Sequence, residues 1–207
     1  QNVNNNHFGE VKMSECGNLS KGLVASLCGK APASGTGKKT VLVPYDDIDR
    51  TASVVTGNVA SSVILKSGKI GYLFTSKPNA TTGEATFAKG KYINLLDHAV
   101  TLRTFVKNQS AKDFMNELIA GARVVVFVDN NESGDAGETK YEVYGWDSGL
   151  TLSELPISTE LSDGVVYSAK LASDENSKEG QLPLSFFVTS PTATEAALAS
   201  LYTPAQG

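Results

Sequence analysis

Gly35-Thr36-Gly37-Lys38-Lys39-Thr40 is a stretch whose residue types suit chemistry, since Gly-rich backbone can cradle a phosphate and a lysine can neutralise it. The spacing departs twice from G-x-x-x-x-G-K-[ST]: Pro32 stands where the first Gly belongs and Lys39 where the metal-binding hydroxyl belongs. No strand precedes it, so the stretch reads as a flexible entry loop. His98 beside Asp97 suits a general base with an orienting carboxylate. Neighbours on a strand point to opposite faces, however, so Asp97 cannot orient the His98 ring, and a structural or interface histidine is expected. The acidic stretches 129–138 and 174–179 offer carboxylates to calcium, but DNNESGDAGE lacks the D-x-[DN]-x-[DN]-G spacing and reads as a solvated hairpin tip.

Other chemistries find no foothold. No serine sits in a G-x-S-x-G elbow, and His7 and His98 are the only histidines. With Cys16 and Cys28 the only cysteines, a zinc site would need an unusual ligand set. A disulfide between those two would contribute roughly 3 kcal/mol in the chain-entropy model if the sulfurs can meet, although a chain of this length has core enough without it. Paired-carboxylate glycosidase chemistry wants a cleft lined by aromatics; Trp146 is the single Trp and reads as core or interface. The triplets at Asn18, Asn79 and Asn108 are treated as chance glycosylation sequons. No catalytic residue, cofactor-binding residue, cofactor or metal ligand is assigned, and the chain is not expected to be an enzyme.

The elements that would position any site are mostly strands. At 207 residues, 41% hydrophobic and 19% charged, the composition is that of one folded domain. A net charge of -4 opposes a protein that grips nucleic acid through its phosphates. No window approaches the ~20 apolar residues of a membrane helix, and no charged-then-apolar leader is seen, so a non-membrane product is expected. Residues 1–39 are expected to form an N-terminal arm used in assembly, and 40–207 a single β-rich domain. Strands are expected over 39–44, 63–66, 69–74, 85–88, 91–106, 123–128, 164–171 and 184–188, with a second hairpin strand after the loop at 129–138. Ser67-Gly68 is read as a hairpin turn between 63–66 and 69–74. Along 91–106, His98, Val100, Leu102 and Thr104 share one face. One helix, about 110–121, is expected to start at a Ser110 cap and to pack on the sheet through Phe114, Met115, Leu118 and Ile119. A C-terminal helix, about 191–201, has Ser190 at its cap and Pro191 at its first position. The fold class is α+β, mainly β: an antiparallel β-sandwich or barrel with two flanking helices, long loops and an extended arm.

ECGNLSKGL and CGK near the start, VLVPYDDID, KGKYINLLDHAVTLRTFV followed by a helix and VVVFVDNN, then YEVYGWDSGLTL and SDENSKEGQLP together resemble a family of tailed-bacteriophage virion proteins, most closely tail tube (major tail) proteins. The resemblance runs from about Cys16 to Leu201. It implies a subunit that assembles with itself into stacked, commonly hexameric rings, forming a tail tube that conducts viral DNA without binding it specifically. Its other partners would be tail or connector proteins, with no membrane, and its place the virion, after assembly in the bacterial host cytoplasm. The strands at 91–106 and 123–128, taken as partners, are candidates for the lumen wall. The loop at 76–89 and the arm would reach neighbouring subunits. A head decoration, connector or tail terminator protein is the other virion reading, and a secreted ligand-binding β-sandwich the reading from a different class.

Overall fold

The computed structural model describes residues 35–89, 94–131, 137–157 and 164–203, all within one compact unit, residues 32–207. His7, Cys16, Cys28, the sequon at Asn18 and nearly all of the expected arm lie outside the described residues. The described chain is mainly β. Its strands are β1 (Thr36–Pro44), β2 (Val54–Thr56), β3 (Val59–Ser62), β4 (Tyr72–Thr75), β5 (Thr81–Lys89), β6 (Asn94–Thr104), β7 (Val124–Asn130), β8 (Tyr141–Tyr144), β9 (Thr151–Glu154), β10 (Tyr167–Ala172) and β11 (Leu184–Phe186). Two helices, α1 (Gln109–Ile119) and α2 (Pro191–Tyr202), complete it.

The strands form two sheets, β2-β3-β11-β8-β7-β1-β4 and β5-β6-β10-β9. Neither closes on itself, which rules out the barrel. The pairing is antiparallel except that β11 runs parallel to β3, a departure from the expected all-antiparallel arrangement. The central strands of the larger sheet are buried on both faces, and this explains the unbroken apolar run in β7. Val124, Val126 and Val128 join Leu42, Tyr144 and the smaller sheet's Val100, Leu102, Ala169 and Leu171 in one core, closed by Met115 and Leu118 of α1. Val125 and Phe127 point the other way, into a core with Val41, Val43, Tyr141, Trp146 and, from α2, Leu198 and Leu201.

Several local expectations change. The GTGKKT stretch is no loop: β1 begins at Thr36, which is buried. Ser67-Gly68 does turn, with Lys69 N–H donating to the Lys66 carbonyl (3.0 Å), but its flanks do not pair with each other. Leu65 bridges Ile48, and β4 pairs with β1. The hairpin lies instead at Gly57-Asn58 between β2 and β3, where Gly57 takes a φ of +59°. Residues 76–89 are not a single loop either, since a turn at 76–80 leads directly into β5. Asn108 rather than Ser110 caps α1, its side chain accepting from Ala111 N–H at 2.9 Å. Ser190 caps α2 with Pro191 in the first turn, as expected.

Gly83 of β5 faces the Tyr144 ring of the larger sheet. A Cβ there would lie 2.4 Å from Cζ of Tyr144, whose hydroxyl is held by Glu142 at 2.8 Å. Gly83→Ala should therefore cost about 1–3 kcal/mol of unfolding free energy in a urea titration. Combined with Tyr144→Leu it should cost less than the sum of the two single changes, because the second change removes the obstructing ring.

Candidate assembly interface

Among the described residues both sheets end in strands without a partner on one side, β2 and β4 in the larger and β5 and β9 in the smaller, and the nine-residue β5 is the longest of these edges. The smaller sheet's inner face is the core just described. Its outer face follows from register: Thr82, Glu84, Thr86 and Ala88 of β5 pair with Thr101, Ala99, Asp97 and Leu95 of β6, and Arg103, Thr101 and Ala99 pair with Ser168, Lys170 and Ala172 of β10. This face is small, hydroxyl-rich and internally compensated in charge. Lys170 Nζ lies 3.5 Å from Glu84 and 3.8 Å from Glu154, and Lys178 pairs with Asp97. Among the described residues, no strand pairs with the outer edge of β5 or of β9. Phe87 near the end of β5 is 61% exposed and Ile157 just beyond β9 is 70% exposed, so apolar side chains stand close to both free edges.

What fixes this sheet against the larger one is a buried polar cluster. Glu179, 1% exposed, exchanges both backbone hydrogen bonds with Leu96 (2.8 and 3.0 Å) beside the start of β6. Its carboxylate accepts from the backbone N–H of Asp147 (2.7 Å) and Ser148 (3.0 Å) and from Ser148 Oγ (2.6 Å). His98, also 1% exposed, spans the same gap: Nδ1 accepts from Gly145 N–H at 3.3 Å and Nε2 donates to the Gln181 carbonyl at 3.0 Å. That pattern uses one donor and one acceptor, the neutral ring. Burial holds the His98 pKa below its usual value, against the opposing pull of Glu179, of the Gln181 carbonyl, and of Asp147 and Asp97.

The residues singled out in the sequence are dispersed. Asp97 lies on the opposite face of β6 from His98, as strand geometry requires, and pairs with Lys178. Asp129 pairs with Lys140 (2.8 Å), and Asp174 accepts from Thr151 Oγ1 (2.9 Å); residues 132–136 of the first acidic stretch lie outside the described residues. Trp146 is buried, and the Arg50 guanidinium carbon lies 4.2 Å from its ring centroid and 4.6 Å from that of Tyr45. Asn79, in the left-handed region at φ +62°, accepts from Thr36 N–H (2.9 Å). Among the described residues no three His, Cys, Asp or Glu side chains gather as a metal site would need, and no helix is long and apolar enough to cross a membrane. β6 and β7, taken as partners from the sequence, belong to different sheets: β6 pairs with β5 and β10, β7 with β1 and β8. Glu179 escaped the sequence reading because its partners are backbone N–H groups of a distant turn, which no side-chain pattern reveals. No family model, curated protein or solved structure matches the chain.

The polar cluster makes stability pH-dependent with a definite sign. Because the folded protein holds His98 neutral below the pH at which the unfolded chain protonates it, the unfolded state binds more protons and stability falls as pH drops through the ordinary His range. The urea midpoint should decrease between pH 7 and about 5, and His98→Gln should flatten that slope over the same window. An unchanged slope in the variant would remove His98 from this role.

Proposed function

We propose that the chain is a structural virion protein of a tailed bacteriophage, a β-sandwich subunit that joins with itself into stacked hexameric rings forming the tail tube, through which viral DNA passes without specific binding. One observation carries the reading. The smaller sheet has four strands, every neighbour antiparallel, so its two free edges, β5 and β9, run in opposite directions. Pairing β5 of one copy with β9 of the next therefore continues the antiparallel alternation, and a repeated head-to-tail contact of this kind closes into a ring when its rotation permits.

Two further features support it. The β5–β6 pairing runs on to Lys89↔Asn94, past the Ala172↔Ala99 limit of β10, and such a stagger between strands is what a tilted, closed wall requires. The long β5 edge contains no Pro and no bulge against β6, devices that discourage edge pairing. In this reading the outer face of threonine, serine, alanine and compensated charges lines the lumen, and β6 and β10, not β6 and β7, form its centre. Tail and connector proteins would meet the ends of the tube.

Negative-stain images of the purified protein at high concentration should show rings or tubes with a central hole. Phe87→Lys, an exposed change expected to alter folding stability by no more than about 0.5 kcal/mol, should leave the subunit folded but monomeric. Persistent monomers of the unaltered chain, or rings undiminished in the variant, would sink the proposal.

A further inference from the structure

The larger sheet and α1 carry two surface features of opposite character at opposite ends. At one end a groove of about 430 Å³ is floored by Leu42, Tyr72, Phe114 and Leu118 and edged by Asp46, Asp47, Glu117 and Arg123. Asp46 is engaged by Arg123 at 3.0 Å and Asp47 by Lys69 at 3.2 Å, which leaves Glu117 as the rim carboxylate without an ion pair among the described residues. At the other end, residues 76–80 and 104–112 hold Lys77, Lys107 and Lys112 and no acid. Val106 there is 53% exposed, and Lys77 Nζ lies 4.2 Å from the Phe105 ring centroid.

Three elements run from one feature to the other. On β1, Lys38 accepts from Ser76 N–H at the basic end, while Leu42 and Pro44 line the groove; six residues of strand separate Lys38 from Pro44, about 20 Å. On β4, Tyr72 lines the groove and Thr75 borders the basic end. Helix α1 begins at Asn108 beside Val106 and Lys107 and finishes in the groove wall with Glu117 and Leu118. An apolar hollow with Glu117 at its rim and an apolar basic end on opposite poles of one molecule complement each other only between copies. Such a heterologous contact, repeated by translation along the strand direction, propagates without closing.

We infer that the occupant of the groove is the basic end of a second copy of this chain, Val106 seating over Tyr72 and Phe114 while Lys107 faces Glu117. The contact rests on the ring reading, and is the one that stacks one ring on the next; ring closure uses β5 and β9 and does not involve these residues. Charge complementarity of this kind sets register and partner choice more than raw affinity.

The test uses the full-length protein, negative-stain imaging and sedimentation velocity. Lys107→Glu, and separately Glu117→Lys, should leave rings intact but raise the concentration needed for tubes by about tenfold or more, the effect of roughly 1.4 kcal/mol per contact. The combined variant K107E/E117K should recover tubes, since opposite charges again face each other, and all variants should keep the melting temperature of the unaltered chain. Tubes that form at the unaltered concentration in both charge-reversed variants, or a combined variant that fails to recover them while its rings persist, would overturn the stacking contact and leave the ring reading standing. A chain that remains monomeric throughout would overturn both.

Discussion

The placement of the smaller sheet depends on one buried carboxylate. Glu179 lies alongside β6 through its backbone and reaches with its side chain to two successive N–H groups and a hydroxyl in the turn that follows β8. A carboxylate taken out of water is costly unless its oxygens are hydrogen-bonded, and charge-assisted bonds to backbone amides are among the stronger ones available. Because its partners belong to a turn whose conformation is set by Gly145 and Gly149, both at positive φ, the bond has a single geometry. The apolar core between the sheets favours burial but is indifferent to small slides along the strands. Glu179, with His98 beside it, removes that freedom and fixes how far the β5–β6 ribbon projects.

A sheet held in this way differs from one held by packing alone. The larger sheet is covered over its central strands on both faces, by the smaller sheet and α1 on one side and by α2 and the segment after β1 on the other. Its central strands are locked in an interior and have no outward role. The smaller sheet has one face in that interior, and among the described residues no strand covers its other face or pairs with its two edges. Rigid backing and open edges together make a strand available to a neighbour without first ordering it, and a preordered edge avoids much of the entropic cost of association. In the proposed tube, the buried polar cluster and the wall contacts would thus be coupled through β6, which carries His98 inward and Asp97, Ala99 and Thr101 outward.

What the sequence disclosed and what it hid divide along a physical line. Local codes were legible. The apolar run of β7, the inward face of β6 with His98, Val100 and Leu102, and the Ser190-Pro191 start of α2 all follow from periodicity or capping within a few residues. Pairing choices were not. Ser67-Gly68 carries the stronger turn signal, yet the strands flanking it find partners elsewhere, Leu65 with Ile48 and β4 with β1, while the less conspicuous Gly57-Asn58 makes the hairpin. Asn108 outcompetes Ser110 as a cap because the first helical turn begins two residues earlier than the apolar stripe suggests. The assignment of β6 and β7 to separate sheets, and the parallel seat of β11 against β3, are set by which faces must be buried together, a condition no window of sequence contains.

Charge shows the same limit at a larger scale. A net charge of -4 invites the picture of an acidic wall that repels DNA, but net charge is a property of the whole chain and says nothing of where the charges lie. On the outer face of the smaller sheet Glu84 and Glu154 flank Lys170, Asp97 is met by Lys178, and Arg103 stands beside them. If this face lines a lumen, DNA passing it would meet short hydroxyl and methyl side chains and pairs of compensated charges. Weak adhesion would then come from the absence of unpaired lysine or arginine clusters able to release counterions from phosphate. Long-range repulsion would contribute little at physiological ionic strength, where screening acts over roughly 8 Å. A compensated surface also tolerates close approach of neighbouring copies, because Glu84 on β5 and Glu154 on β9 are each already engaged by Lys170 of their own subunit. The same arrangement of charge therefore serves both demands the proposed tube makes on this sheet, joining its neighbours and letting the polyanion pass.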